Sequence, residues 1–112
     1  MSSCPFCKIL ANDEKNQIIM RGQNVTAIRK LYPSKNINFL IISNEQIKNY
    51  KELDDDQAAA IAAETVAMAK KLLPNNDWSL KTNNGKGSSQ DVFHLHTHVY
   101  SGQDWPTAFG SI

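Results

Sequence analysis

Hydrophobic positions repeat along this chain with two periods, one helical and one extended. The clearest helical stretch runs from about Leu53 to Leu73. There Ala58, Ile61, Thr65, Met68 and Leu72 recur every three or four residues and form one stripe for burial. Asp54 followed by Gln57 predicts an N-cap and capping box, and the acidic first turn complements the helix dipole. Lys70 and Lys71 suit the opposite end, and Pro74 stops the helix. A shorter helix is predicted over about residues 5–11, where Phe6, Ile9 and Leu10 follow Pro5. Strand-like runs are Gln17 to Met20, Val25 to Lys30, Phe39 to Ile42, Trp78 to Thr82 and Val92 to Tyr100. Gly22-Gln23-Asn24 has the chemistry of a hairpin turn between the first two. Neither internal repeats nor low-complexity tracts interrupt the pattern. The expected fold is α+β: a five-stranded, mostly antiparallel sheet with one long helix and a short N-terminal helix, in a single domain over 1–112.

Composition narrows the function classes. The 112 residues are 41% hydrophobic and 21% charged, with a net charge of +1. That balance gives no bulk attraction to nucleic acid or to a membrane surface. No apolar run approaches the roughly 20 residues of a membrane span. Met1 to Pro5 has neither the basic nor the apolar region of a secretory signal. The two cysteines, Cys4 and Cys7, are too few for a secreted disulfide framework and suit a reducing compartment. A cytoplasmic protein is therefore expected, with no nucleic-acid or membrane partner.

The chemistry is concentrated in one heptapeptide. All three histidines lie in His94-Leu95-His96-Thr97-His98-Val99-Tyr100. Side chains alternate along a strand, so His94, His96 and His98 are expected on one face, spanning about 13 Å. Leu95, Thr97 and Val99 then take the other face and pack on the core. Three readings follow from the residues themselves: a solvated row of imidazoles, a metal site, or nucleophilic attack on phosphorus. A neutral imidazole near pH 7 is a good nucleophile, and its neighbours can donate hydrogen bonds to phosphoryl oxygens. The preceding loop, Asn83 to Gln90, is small, polar and glycine-containing, and backbone N–H groups of such a loop can meet an anion. Its position directly before the histidines favours the third reading.

Gln90-Asp91-Val92-Phe93 followed by His94-Leu95-His96-Thr97-His98-Val99 resembles the signature of the histidine triad family. Trp105-Pro106 resembles the tail of its nucleotide-binding, phosphoramidase-like branch, and Cys4-Pro5-Phe6-Cys7-Lys8-Ile9 resembles the start of many bacterial members. The resemblance implies an α+β fold, a homodimer in the cytoplasm and hydrolysis or transfer at the α-phosphate of a purine nucleotide conjugate. It implies His96 as the nucleophile forming a nucleotidyl-histidine intermediate, supported by His98 and His94. It also implies Asn83, Ser89, Gln90 and Asp91 near the phosphate, with Phe6, Ile9 and Ile28 around the base. Dinucleoside polyphosphate hydrolysis, and a non-catalytic nucleotide- or protein-binding module, are the alternatives.

Four positions depart from the family pattern. Lys30 stands where an acidic residue commonly holds the ribose hydroxyls, which makes an added phosphate or another substrate an option. Asp91 stands where that branch usually has serine. Gln46 and Asn38 each replace a common histidine. In many bacterial members the C-x-x-C, the upstream histidine and the first triad histidine bind a structural zinc. Here Cys4, Cys7 and His94 alone remain, an incomplete set. The expectation is therefore of no required cofactor and of two packed or partly exposed thiols, with a glutaredoxin-like dithiol as a minor rival.

Overall fold

The computed structural model describes residues 4–106 and Phe109. Its elements run α1 (Pro5–Ala11), β1 (Ile18–Arg21), β2 (Val25–Arg29), β3 (Asn36–Ser43), α2 (Asp55–Leu72), β4 (Ser79–Thr82) and β5 (His96–Asp104), with short 3-10 turns at Tyr50–Glu52 and Lys86–Ser88. The five strands form one antiparallel sheet in the order β1-β2-β3-β5-β4. The α+β expectation is met.

Pleating sorts the side chains onto two faces. Ala27, Phe39, Ile41 and Val99 lie on one face and, with Val25, Ile37 and Leu95, form the main core with Ile61, Met68, Ala69 and Leu73 from the α2 side. Ile28, Leu40 and Ile42 lie on the other and form a second cluster with Cys4 and Phe6, to which Cys7, Ile9 and Leu10 of α1 add. The face carrying His96 and His98 is thus partly roofed by α1. Leu95, Thr97 and Val99 are all buried, as their alternation predicts.

Helix α2 begins as expected. The Asp54 carboxylate accepts from the Gln57 backbone N–H at 2.8 Å, and the Gln57 side chain accepts from the Asp54 N–H at 3.2 Å. Its buried stripe is Ile61, Thr65, Met68 and Ala69, while Ala58 and Leu72 are half-buried. Glu64 on the same helix accepts from the backbone N–H groups of Gln23 and Asn24, both at 2.7 Å, and so fastens the β1–β2 hairpin to α2. A side chain at Gly22 would run into that carboxylate, which explains the glycine.

The last strand departs from the sequence reading. It begins at His96, not Val92, and continues to Asp104, past Tyr100. The Leu95 N–H donates to the Ile47 carbonyl at 2.6 Å, and the Leu95 carbonyl accepts from Ser43 at 3.1 Å, so the chain bends across the end of β3 before pairing regularly. At its far end Asn36 pairs with Asp104, and the Asn36 amide donates to the Gly102 carbonyl. Those residues are polar because they are exposed, so no apolar alternation marks them.

Candidate active site

The bend before β5 gives each histidine a different environment. His94 lies outside the strand and is fully buried. It does not join an open row with the other two, contrary to the expected alternation. Its Nε2 is 2.7 Å from the Ser43 carbonyl oxygen, and its Nδ1 is 3.3 Å from Cys4 Sγ and 3.5 Å from Cys7 Sγ. A carbonyl only accepts, so Nε2 carries the proton and Nδ1 turns its lone pair to the sulfurs. Burial pulls the His94 pKa below its ordinary 6.5; the bond to Ser43 opposes this and the nearby His96 adds to it. Burial thus favours the neutral form of His94.

His96 is held by the same logic. Its Nδ1 is 2.7 Å from the His94 carbonyl oxygen. The neutral ring then has its proton on Nδ1 and its lone pair on Nε2. The edge of Phe6 packs against it, with ring centroids 5.1 Å apart. His96 is only 4% exposed, so it is not the open strand position that alternation alone suggests. His98 follows at 5.3 Å between ring centroids and is half-buried. Its pKa is lowered by burial first, then by His96, Lys30 and Lys81, with Asp91 acting the other way.

The remaining expected site residues divide. Phe6 and Ile28 are buried and Ile9 half-buried in the cluster beneath α1, which forms an apolar wall beside the histidines. Lys30 is half-buried at the end of β2 and its charge reaches His98. Asp91 is exposed and lines a cavity of about 250 Å³ with Cys4, Pro5, Gln46, Val92 and Phe93. Asn83 is half-buried at the end of β4, and Ser89 is exposed with a left-handed backbone, φ 66°.

Gln90 is buried, and its amide is spent on the protein. Its oxygen accepts from Asn49 at 2.9 Å and from the Gly85 N–H at 2.8 Å. Its nitrogen donates to the Lys48 and Val92 carbonyls at 2.6 and 3.0 Å. Gln90 thus ties the 83–90 loop to the segment before α2 instead of facing a ligand. The N–H groups of Ser88, Ser89 and Gln90 donate within the loop, so with Gly85 they are withdrawn from the anion cradle the composition suggests. Gly85 adopts φ 104°, a conformation glycine alone takes easily.

Cys4 and Cys7 are joined as a disulfide, not left as two packed or partly exposed thiols. Cys4 is the N-cap of α1, and this turn brings the two Cα atoms to 5.2 Å, within disulfide range. The ligand atoms of Cys4, Cys7 and His94 lie within 4.8 Å of one another. A closed zinc site needs four ligands, and the position that would complete the family's set is the exposed amide Gln46. Three donors of a closed site are gathered here and the fourth is not supplied by Gln46; no chemistry is routed through a metal.

Sequence patterns had no means of finding several contributors. The Ser43 carbonyl and Asn49 act through contacts distant in the chain. Lys81 is another, placed directly opposite His98 on β4.

A family model described as scavenger mRNA decapping enzyme C-term binding matches residues 3–108. The chain belongs to the histidine triad family. Among solved structures of this family, a HIT family hydrolase from Clostridium thermocellum is 32% identical, with a TM-score of 0.79 over 95% of this chain and 96% of that one. A HIT family hydrolase from Legionella pneumophila is 28% identical, with a TM-score of 0.77 over 93% and 98% of the two chains. An uncharacterized HIT-like protein of Methanocaldococcus jannaschii is 25% identical over 97% of this chain and 88% of its own length.

Proposed function

We propose that this histidine triad protein is a nucleotidyl hydrolase or transferase acting at the α-phosphate of nucleoside phosphoramidates or related conjugates of purine nucleotides. The observation that carries this reading is the His96 tautomer: Nδ1–H is engaged by the His94 carbonyl, which leaves the Nε2 lone pair as the nucleophile. His96 Nε2 forms a bond to phosphorus as the bond from phosphorus to the leaving nitrogen or oxygen breaks. The leaving group takes that electron pair and a proton from solvent or a neighbouring donor. Water then attacks phosphorus, the bond to Nε2 breaks and its electron pair returns to the ring. The net reaction consumes one water and releases a nucleoside monophosphate. In this reading the adjacent His98 would donate an N–H to a phosphoryl oxygen, and the apolar wall of Phe6, Ile9 and Ile28 would seat the base.

The test is His96→Asn assayed on adenosine phosphoramidate. Turnover should fall by a factor on the order of 10³ or more. The variant should also lose some stability, because His96 is buried against Phe6. A folded variant retaining wild-type turnover would remove His96 from the chemistry.

A further inference from the structure

The Cys4–Cys7 disulfide touches the triad at two points. The first is His94. Its Nε2–H donates to the Ser43 carbonyl, so its Nδ1 carries a lone pair. That nitrogen faces Cys4 Sγ at 3.3 Å and Cys7 Sγ at 3.5 Å, in a fully buried ring. A disulfide has no hydrogen to give it. A buried acceptor is normally satisfied, and a Cys4 S–H at this place would satisfy it. The second point is Phe6, which lies between the two cysteines in α1. Its ring meets His94 edge-on at 5.6 Å between centroids and His96 at 5.1 Å. Cys4 also caps this helix, its Sγ accepting from the Cys7 N–H at 3.2 Å. Bonding at the sulfurs thus reaches His94, whose carbonyl holds the His96 Nδ1–H, and Phe6, which packs on His96.

The sulfurs are within reach of a reagent. Cys7 is half-buried, and Cys4 borders the cavity of about 250 Å³ that Pro5, Gln46 and Phe93 also line. Resting on the nucleotide reading above for its effect on turnover, we propose that Cys4 and Cys7 form a reversible redox site that exchanges with small thiols and sets the seating of the His96 nucleophile. Exchange begins at Cys7, the more exposed sulfur. A thiolate attacks Cys7 Sγ and forms a mixed disulfide, and Cys4 Sγ leaves with the electron pair of the broken S–S bond. Cys4 leaves beside His94 Nδ1, takes a proton from solvent and donates it in a hydrogen bond to that nitrogen. A second thiolate attacks the reagent's sulfur in the mixed disulfide, and Cys7 departs with that electron pair and is protonated. The protein gains two electrons and two protons, and the two thiols leave joined as their disulfide. In the dithiol state His94 is held at both ring nitrogens, and with it the carbonyl that orients His96. The disulfide state lacks one of those bonds and is the less active form.

The experiment poises the whole protein in glutathione, from wholly oxidised to wholly reduced, with a chelator present so that no metal holds the thiols. The same samples give the free-thiol fraction by alkylation and mass, the nitrogen-15 shifts of the His94 and His96 rings, and kcat on adenosine phosphoramidate. The bond should open and close in the folded protein, and the His94 Nδ1 and His96 signals should follow the free-thiol fraction. The dithiol should show a kcat about fivefold higher than the disulfide, the scale of one hydrogen bond, with KM little changed. The double variant Cys4→Ser, Cys7→Ser forms no disulfide, and its hydroxyls can still cap α1 and donate to His94. Its kcat should not respond to the glutathione poise. A pair that cannot be cycled without unfolding overturns the site. Equal kcat values in the two forms overturn it as well, and so does a response that persists in the double variant. If neither form turns over the substrate, the nucleotide reading falls and the nitrogen signals decide the redox site alone. His96 shifts that follow the thiols then keep the coupling, and unmoved shifts remove it.

Discussion

At the residue scale the site is organised by where protons are held. One backbone carbonyl, that of Ser43, fixes the tautomer of His94, and another, that of His94, fixes His96. Among the described residues His98 has no such anchor, and it responds instead to burial and charge. Its ring should titrate below its ordinary 6.5 when followed by NMR, and Lys30→Gln should move that titration upward by removing a cation that opposes the imidazolium. The sign for stability follows. Folded His98 takes up its proton less readily than the unfolded chain, so its contribution is fully present above 6.5 and is lost as pH falls through the folded value. A His98 ring titrating above 6.5, or unmoved in the variant, would contradict this electrostatic picture. The three histidines were legible as a cluster from their spacing. Their inequality was not, because the burial of His94 depends on a bend set by Leu95 bonding to Ile47 and Ser43, far away in sequence. Gln90 shows the same limit: a polar residue beside a motif reads as a ligand contact until its four protein partners are seen.

At the element scale, the parts decided by local chemistry were those the sequence revealed. The Asp54–Gln57 capping box, the Pro5 start of α1 and the apolar run in β3 each rest on neighbours close in the chain. Asp54→Ala should cost about 1 kcal/mol, read as a lowered Tm without loss of the folded baseline, since one N-cap acceptor is removed. No change in Tm would mean that the cap is redundant with the packing of Ile61 and Met68. The exposed end of β5 was illegible for the opposite reason: Ser101 to Asp104 are held by β3 and carry no pattern of their own. The disulfide also escaped the sequence reading, which weighed the thiols by compartment and not by the tight first turn of α1.

At the scale of the whole molecule, the sheet separates two tasks. The α2 face carries most of the core, and the α1 face carries His96 and His98 beside a smaller apolar cluster. The histidine triad architecture leads us to propose a homodimer, in which α2 and the Trp105 segment contribute to a twofold contact. Within one chain Trp105 already packs on Phe39 and Phe109 and donates to the Ser34 carbonyl, so that segment meets any partner as a fixed surface. Sedimentation at micromolar concentration should give a mass near twice the 12.5 kDa of the chain. A value near 12.5 kDa would contradict the dimer without touching the chemistry.

The central claim is a double displacement through His96 Nε2, and the stereochemical course at phosphorus tests it most directly. Each in-line displacement inverts the phosphorus centre, so two in sequence restore it. An adenosine phosphoramidate made chiral at the α-phosphorus with sulfur, turned over in isotopically labelled water, should give product with overall retention of configuration. Overall inversion would mean direct attack by water and would contradict a nucleotidyl-histidine intermediate.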